Sequence, residues 1–270
     1  MRLRKALLVF KKDWWEVRRN WEVILPMILL PILFAIVLPT VIMLIATSSP
    51  QSLEEISAYI SQLPEYIRTQ LEGMTLNQVG IYLFAVFFFA PFFLILPVMS
   101  SSVIASDSFA GEKERKTIEA LLATPLSDSE LLFGKILVSF IPSMITTLGS
   151  FLLYSILIDV VTFPIFNRLL LPTPEWIAMI FGLAPLMSIA AIGLTVSISA
   201  RVRGFREAQQ ISVILLLPIL GLIFGQIFGV LILGVPAILI LIGIMALVDF
   251  VLIKIGIAAF QREDILTIHE

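Results

Sequence analysis

Long uncharged runs alternate along this chain with short clusters of charge. No charged side chain lies between Glu72 and Asp107, none between Lys135 and Asp159, and Ala208 to Val248 is uncharged for 41 residues. A helix crosses a hydrocarbon core of ~30 Å with roughly 20 apolar residues. The runs therefore predict membrane helices at 23–46, 78–106, 131–158, 176–200, 208–233 and 237–257. The last two divide the 41-residue run, which is too long for one crossing, and Gly234-Val235-Pro236 marks the turn between them. The third accommodates Lys135 by letting its stem snorkel to the interface.

Three segments follow other patterns. In residues 1–21, Leu3, Leu7, Phe10, Trp14, Val17 and Trp21 recur every three or four positions, with Lys11, Lys12, Arg18 and Arg19 largely off that stripe. This predicts an interfacial amphipathic helix, with tryptophans at headgroup depth and basic groups toward anionic lipid. A plain basic anchor for the first span fits the same residues. Residues 47–77 carry a Ser52–Glu55 capping box, Pro64 at a helix start and a helical apolar face from Leu53 to Leu71. They predict short helices lying on the membrane as a connector. Residues 107–130 are the most charged. Glu112–Lys116 and Arg115–Glu119 are spaced i, i+4, which supports an exposed helix, and Ile118, Leu121 and Leu122 give it one apolar edge. Pro125 stops that helix, and Ser127 with Glu130 forms a fresh capping box for the next. The predicted order is charged helix, hard break, helix.

Composition narrows the class. With 59% hydrophobic and 14% charged residues and a mean hydropathy of +1.04, the chain cannot cover its apolar surface as a soluble domain. The basic N-terminus is followed by an apolar run, Ala6 to Phe10, too short for a signal-peptide core, so the first span reads as a retained helix. Orientation comes from lysine and arginine. With the N-terminus inside, sixteen of the eighteen basic residues fall on the cytoplasmic side and only Arg68 and Arg168 fall outside. The prediction is an all-α membrane protein with six transmembrane helices and both termini cytoplasmic. The amphipathic helix occupies 1–21, and one transmembrane domain occupies 22–270, ending in a cytoplasmic tail at 258–270.

Catalytic chemistry finds little support. There is no cysteine, and His269 is the one histidine, so no thiolate nucleophile, histidine pair or metal site is predicted. No G-x-x-x-x-G-K-[ST] phosphate loop occurs, since Gly134-Lys135 lacks its upstream glycine and is followed by Ile136. Asp107 and Glu112 sit at the membrane edge with no histidine to work beside them. Nothing points to nucleic acid.

The run Gly111 to Ser127, GEKERKTIEALLATPLS, with Gly134-Lys135, resembles the signature of ABC-2-type transporter permeases. The ending Phe260-Gln261-Arg262-Glu263-Asp264-Ile265-Leu266 is similar to that family's, and the resemblance covers essentially the whole chain. Lys116 departs from the pattern, because these permeases often carry glycine before the threonine. The resemblance implies a half-transporter, the membrane-spanning subunit of an exporter in a prokaryotic-type plasma membrane. Its loop between spans two and three would carry a coupling helix seated in a separate ATPase subunit, which binds the ATP and magnesium. By position, Glu112, Glu114, Arg115, Thr117, Glu119 and Leu122 would lie at that contact, with Pro125 as the helix break. A second copy or a sister permease would complete the assembly.

Two features inside the predicted spans stay open. Gly221, Gly225 and Gly229 put three glycines on one helix face, a packing seam within the subunit or across a dimer. Asp249 is the one acid well inside a span. Burial requires pairing, for which Lys254 and Gln226 are the candidates, or else marks a transport site. The latter reading makes the chain an ion-coupled secondary transporter.

Overall fold

The computed structural model describes residues 3–48, 63–117, 124, 126–199, 201–202, 204–228 and 232–259. Among these residues all regular structure is helical, and six helices are long and apolar enough to cross a membrane. Helix α1 (Leu3–Val17) turns into α2 (Trp21–Leu44) at Asn20, whose side chain accepts the Glu22 N–H at 3.1 Å. A short α3 (Glu65–Leu71) precedes α4 (Leu76–Glu114), which opens on a reciprocal Thr75–Gln78 capping box. Helix α5 (Asp128–Phe166) begins at the expected Ser127–Glu130 box and ends at Asn167, which adopts the left-handed conformation that stops helices. Then come α6 (Pro174–Ser199), α7 (Phe205–Ile227) and α8 (Val235–Ala259). The capping box Ser52–Glu55 lies outside the described residues.

Helices α4 and α5, at 39 residues each, are about 58 Å long, roughly twice the hydrocarbon thickness. Both run well past the uncharged stretches that announced them, because the protein itself satisfies their charged ends. Helix α4 is the central post, with 72% of its apolar window buried, whereas α8 buries 11%. In its upper half Leu83–Phe88 is a π-helical turn just ahead of Pro91. The Phe89 N–H goes to the Phe84 carbonyl at 3.1 Å, so the Ala85 and Val86 carbonyls need other donors. Two neighbouring helices supply them. The Tyr154 hydroxyl donates to Ala85 O at 2.8 Å and the Trp176 Nε1–H to Val86 O at 3.0 Å. Both rings are fully buried and pack on Phe93 at centroid distances of 5.0 Å. Phe89 and Phe93 of this helix thus belong to an aromatic joint among α4, α5 and α6.

Helix α1 docks on a face that the sequence pattern did not single out. Ala6, Val9, Asp13 and Val17 are buried, while Leu3, Leu7 and Trp21 of the expected stripe stay exposed. The reason is Gly134 on α5. A Cβ there would lie 2.7 Å from the Ala6 carbonyl oxygen and 2.7 Å from Val9 Cβ, so only glycine lets the two backbones come this close. The expected stripe is left split, its Val17 edge against the bundle and its leucine edge outward.

Candidate functional site

Beside that crossing, charged side chains from three helices meet out of solvent. Lys135, on α5, is fully buried. Its ammonium donates to Glu112 Oε2 at 2.5 Å, to Ser108 Oγ at 3.2 Å and to the Ser108 carbonyl, and lies 3.6 Å from Asp13 Oδ2. Lys12 bridges from α1, 2.5 Å from Glu112 Oε1, 3.1 Å from Asp13 Oδ1 and 3.3 Å from Glu16 Oε1. The Ser108 hydroxyl closes the ring by donating to Asp13 Oδ2 at 2.9 Å. Burial works against charge on Lys12, but Asp13 and Glu112 outweigh it and hold the ammonium above the ordinary lysine range. Asp13, Glu16 and Glu112 bring carboxylate oxygens within 4.8 Å of one another; the two lysines balance the buried pair, Asp13 and Glu112, while Glu16 is exposed. Lys135 therefore does not snorkel, since its partners are inside the protein.

A second arm of the same site holds the α1–α2 elbow. Asp107 Oδ1 accepts from Asn20 Nδ2 at 3.1 Å and from Arg115 Nη1 at 2.9 Å. Arg115 reaches back two turns to do this, passing over Gly111, where a Cβ would crowd both groups at 3.0 Å. The stretch Asp107–Gly111 is itself π-helical.

The end of α4 differs from the charged helix expected here. The last turn, Glu112–Glu114, continues α4 and stops at once. Lys116 N–H bonds to Lys113 O at 3.1 Å and Thr117 N–H to Glu112 O at 3.0 Å, the two bonds of a Schellman cap. The Thr117 hydroxyl reinforces it, donating to the same carbonyl at 3.2 Å. The expected Glu112–Lys116 pair does not form, because Glu112 is taken by Lys12 and the buried Lys135 and Lys116 has left the helix. Arg115 is likewise committed to Asp107. Glu114 Oε2 accepts the Phe205 N–H at 3.0 Å. Glu119, Leu122 and Pro125 lie outside the described residues.

Lys116 carries φ 57°, the left-handed region in which an L side chain costs about 1–2 kcal/mol. This is the position where the signature pattern has glycine. Lys116→Gly is expected to stabilise the chain by about 1 kcal/mol, read as a melting temperature raised by a few degrees in detergent.

The remaining predicted residues scatter. A Cβ on Gly221 would meet nothing within 4 Å, so this part of the glycine face is not covered by the described residues; Gly229 is outside them. Asp249 is 5% exposed, and neither carboxylate oxygen has a hydrogen-bond partner among the described residues. It shares a face with Leu252, which meets Gly193 of α6. Lys254 instead lies over the Phe250 ring at 4.5 Å. Gln226 sits at the far end of α7, about 20 Å along α8 from the level of Asp249, so neither candidate pairs with it.

Six helices are of spanning length, the site at the tip of α4 draws in part on the signature run, and a family model decides what that means: the one described as ABC-2 family transporter protein matches residues 7–253. The chain belongs to the ABC-2 transporter family. It is an integral membrane protein and a transport component rather than a catalyst. No curated protein matches it. For this ABC-2 chain, the signature residues Glu112, Glu114, Arg115 and Thr117 all bond within the subunit, where they shape and hold the end of α4. Sequence reasoning missed Lys12, which bonds Glu112, and Asp13, Asn20 and Ser108, which bond the neighbouring Lys12, Lys135 and Asp107. Asp13 carried one signal, its place between Val9 and Val17 at helical spacing.

Proposed function

We propose that this chain is the permease subunit of an ATP-driven exporter, with its basic end and both termini in the cytoplasm of a prokaryotic-type plasma membrane. A separate ATPase subunit binds ATP and magnesium and docks on residues 112–122, and a second permease, identical or a sister, completes the path. One observation carries the reading. The signature run sits at the tip of the central helix, and that tip is bonded to α1, α5, the α1–α2 elbow and the start of α7. A push delivered there is shared at once by four parts of the bundle. Glu112 is buried, and the exposed Glu114 and Thr117 already spend side-chain oxygens on the Phe205 N–H and the Glu112 carbonyl, so Glu119 and Leu122 are the residues that would meet the ATPase. The open Gly221 face of α7 suits a close approach by the second permease.

The test is co-purification from membranes expressing both subunits. Glu119→Lys with Leu122→Asp is expected to cut recovery of the ATPase at least tenfold, a loss of about 1.4 kcal/mol or more, while the permease keeps its melting temperature. Full recovery of the ATPase with this variant would overturn the docking assignment. The ion-coupled alternative rests on the unpartnered Asp249; it requires transport driven by an ion gradient with no ATPase present, abolished by Asp249→Asn.

A further inference from the structure

The last turn of α4 sends its carboxylates in different directions. Glu112 serves α1 and α5. Two residues on, Glu114 accepts the N–H of Phe205, the first residue of α7, at 3.0 Å. That helix has no cap of its own, because Gly204 stands at its N-cap position. A carboxylate there meets otherwise unpaired N–H groups and the positive end of the helix dipole. Gly204 is needed for room rather than for backbone freedom, since its φ of −172° is ordinary extended chain. A Cβ on it would run into Glu114 Oε2 and come within 2.8 Å of Cδ. Lys113 adds a second tie, donating from Nζ to the Val202 carbonyl at 3.2 Å.

Beyond these ties, α7 buries Phe205, Ala208 and Ser212 in its first turns, pairs Ser212 with Thr195 of α6 at 2.8 Å, and buries 22% of its apolar window. Its Arg206 contact to Glu22 is 3.4 Å between side chains 83% and 59% exposed, which contributes little. With most of its apolar window unburied, the helix takes its position from the contacts of its first turns, and the Glu114 bond is the one at its very end. We infer that Glu114 is the positioning residue through which displacement of the α4 tip reaches α7. The tip is then a branch point: Glu112 drives α1 and α5, and Glu114 drives α7. The inference takes the source of the push from the proposed function, but the tether belongs to this chain alone.

The chain contains no cysteine, so Lys116→Cys and Gln210→Cys, both at exposed positions, can carry a pair of spin labels with no other change. In the permease alone, in lipid nanodiscs, the wild-type background should give one narrow distance distribution. Glu114→Ala should at least double its width, and Glu114→Gln, which keeps an acceptor oxygen, should restore it. Gly204→Ala, which drives the carboxylate off the helix end, should broaden it as Glu114→Ala does. Equal widths in all four backgrounds would overturn the inference. In the ATPase complex, cycling nucleotide should leave the label distance constant in the wild-type background and change it with Glu114→Ala; a constant distance in both would also overturn it. If no ATPase binds, the proposed function fails while the measurement on the permease alone still decides the tether.

Discussion

Lys135→Met should lower the stability of the bundle by about 3–5 kcal/mol, the usual cost of removing one partner from a buried ion group. Lys135 is fully buried and contacts Glu112, Asp13 and Ser108. With Lys12 it balances the two buried acids; without it, Lys12 alone faces both. Thermal unfolding in detergent reads the loss. The diagnostic control is the double variant Lys135→Met with Glu112→Gln. It removes one charge of each sign and leaves Lys12 with Asp13, so it should recover more than half of the lost stability. A single Lys135→Met variant that melts with wild type would show that the group contributes no net stability. A double variant no better than the single would show that packing, not charge, sets the cost.

Gly134→Leu should release α1 from the bundle. Even the first atom of the new side chain has no space, with the Ala6 carbonyl and Val9 Cβ each 2.7 Å away, and backbone cannot yield as a flexible side chain would. Overpacking of this kind costs about 1–3 kcal/mol, which converts to roughly 5- to 150-fold more time undocked. Val9 is 3% exposed, so Val9→Cys should react slowly with a maleimide in the parent chain and at least about fivefold faster with Gly134→Leu. Ala191→Cys, fully buried in the main core, should stay protected in both. Equal reactivity at position 9 would contradict the docked arrangement, and exposure at 191 would mean global unfolding instead.

The parts of this molecule that were legible in its sequence are those set by local chemistry. The membrane helices follow from where charge is missing, and the start of α5 follows from Ser127 and Glu130, three residues apart. The charged site was not legible, because its bonds join residues far apart in sequence. Lys12 and Glu112 are separated by 100 positions, and Asp13 and Ser108 by 95. Read locally, Glu112 had an eligible partner in Lys116 at helical spacing, and an exposed pair was the natural expectation. A buried pair prevails because the low-dielectric interior strengthens it once other hydrogen bonds satisfy the remaining atoms. The α1 face was misplaced for a related reason. Hydrophobicity marked the leucine and tryptophan side, whereas a single glycine on another helix selects the side that docks.

The hydrogen bonds lent by Tyr154 and Trp176 to Ala85 and Val86 also fix a fulcrum. They pin α4 at one level to two other helices, with about 15 Å of helix on the Leu76 side and about 42 Å on the Glu114 side. For rigid rotation about that level, the charged tip travels nearly three times as far as the opposite end. On the proposed function, a large stroke at the tip would be geared down to a small displacement at Leu76.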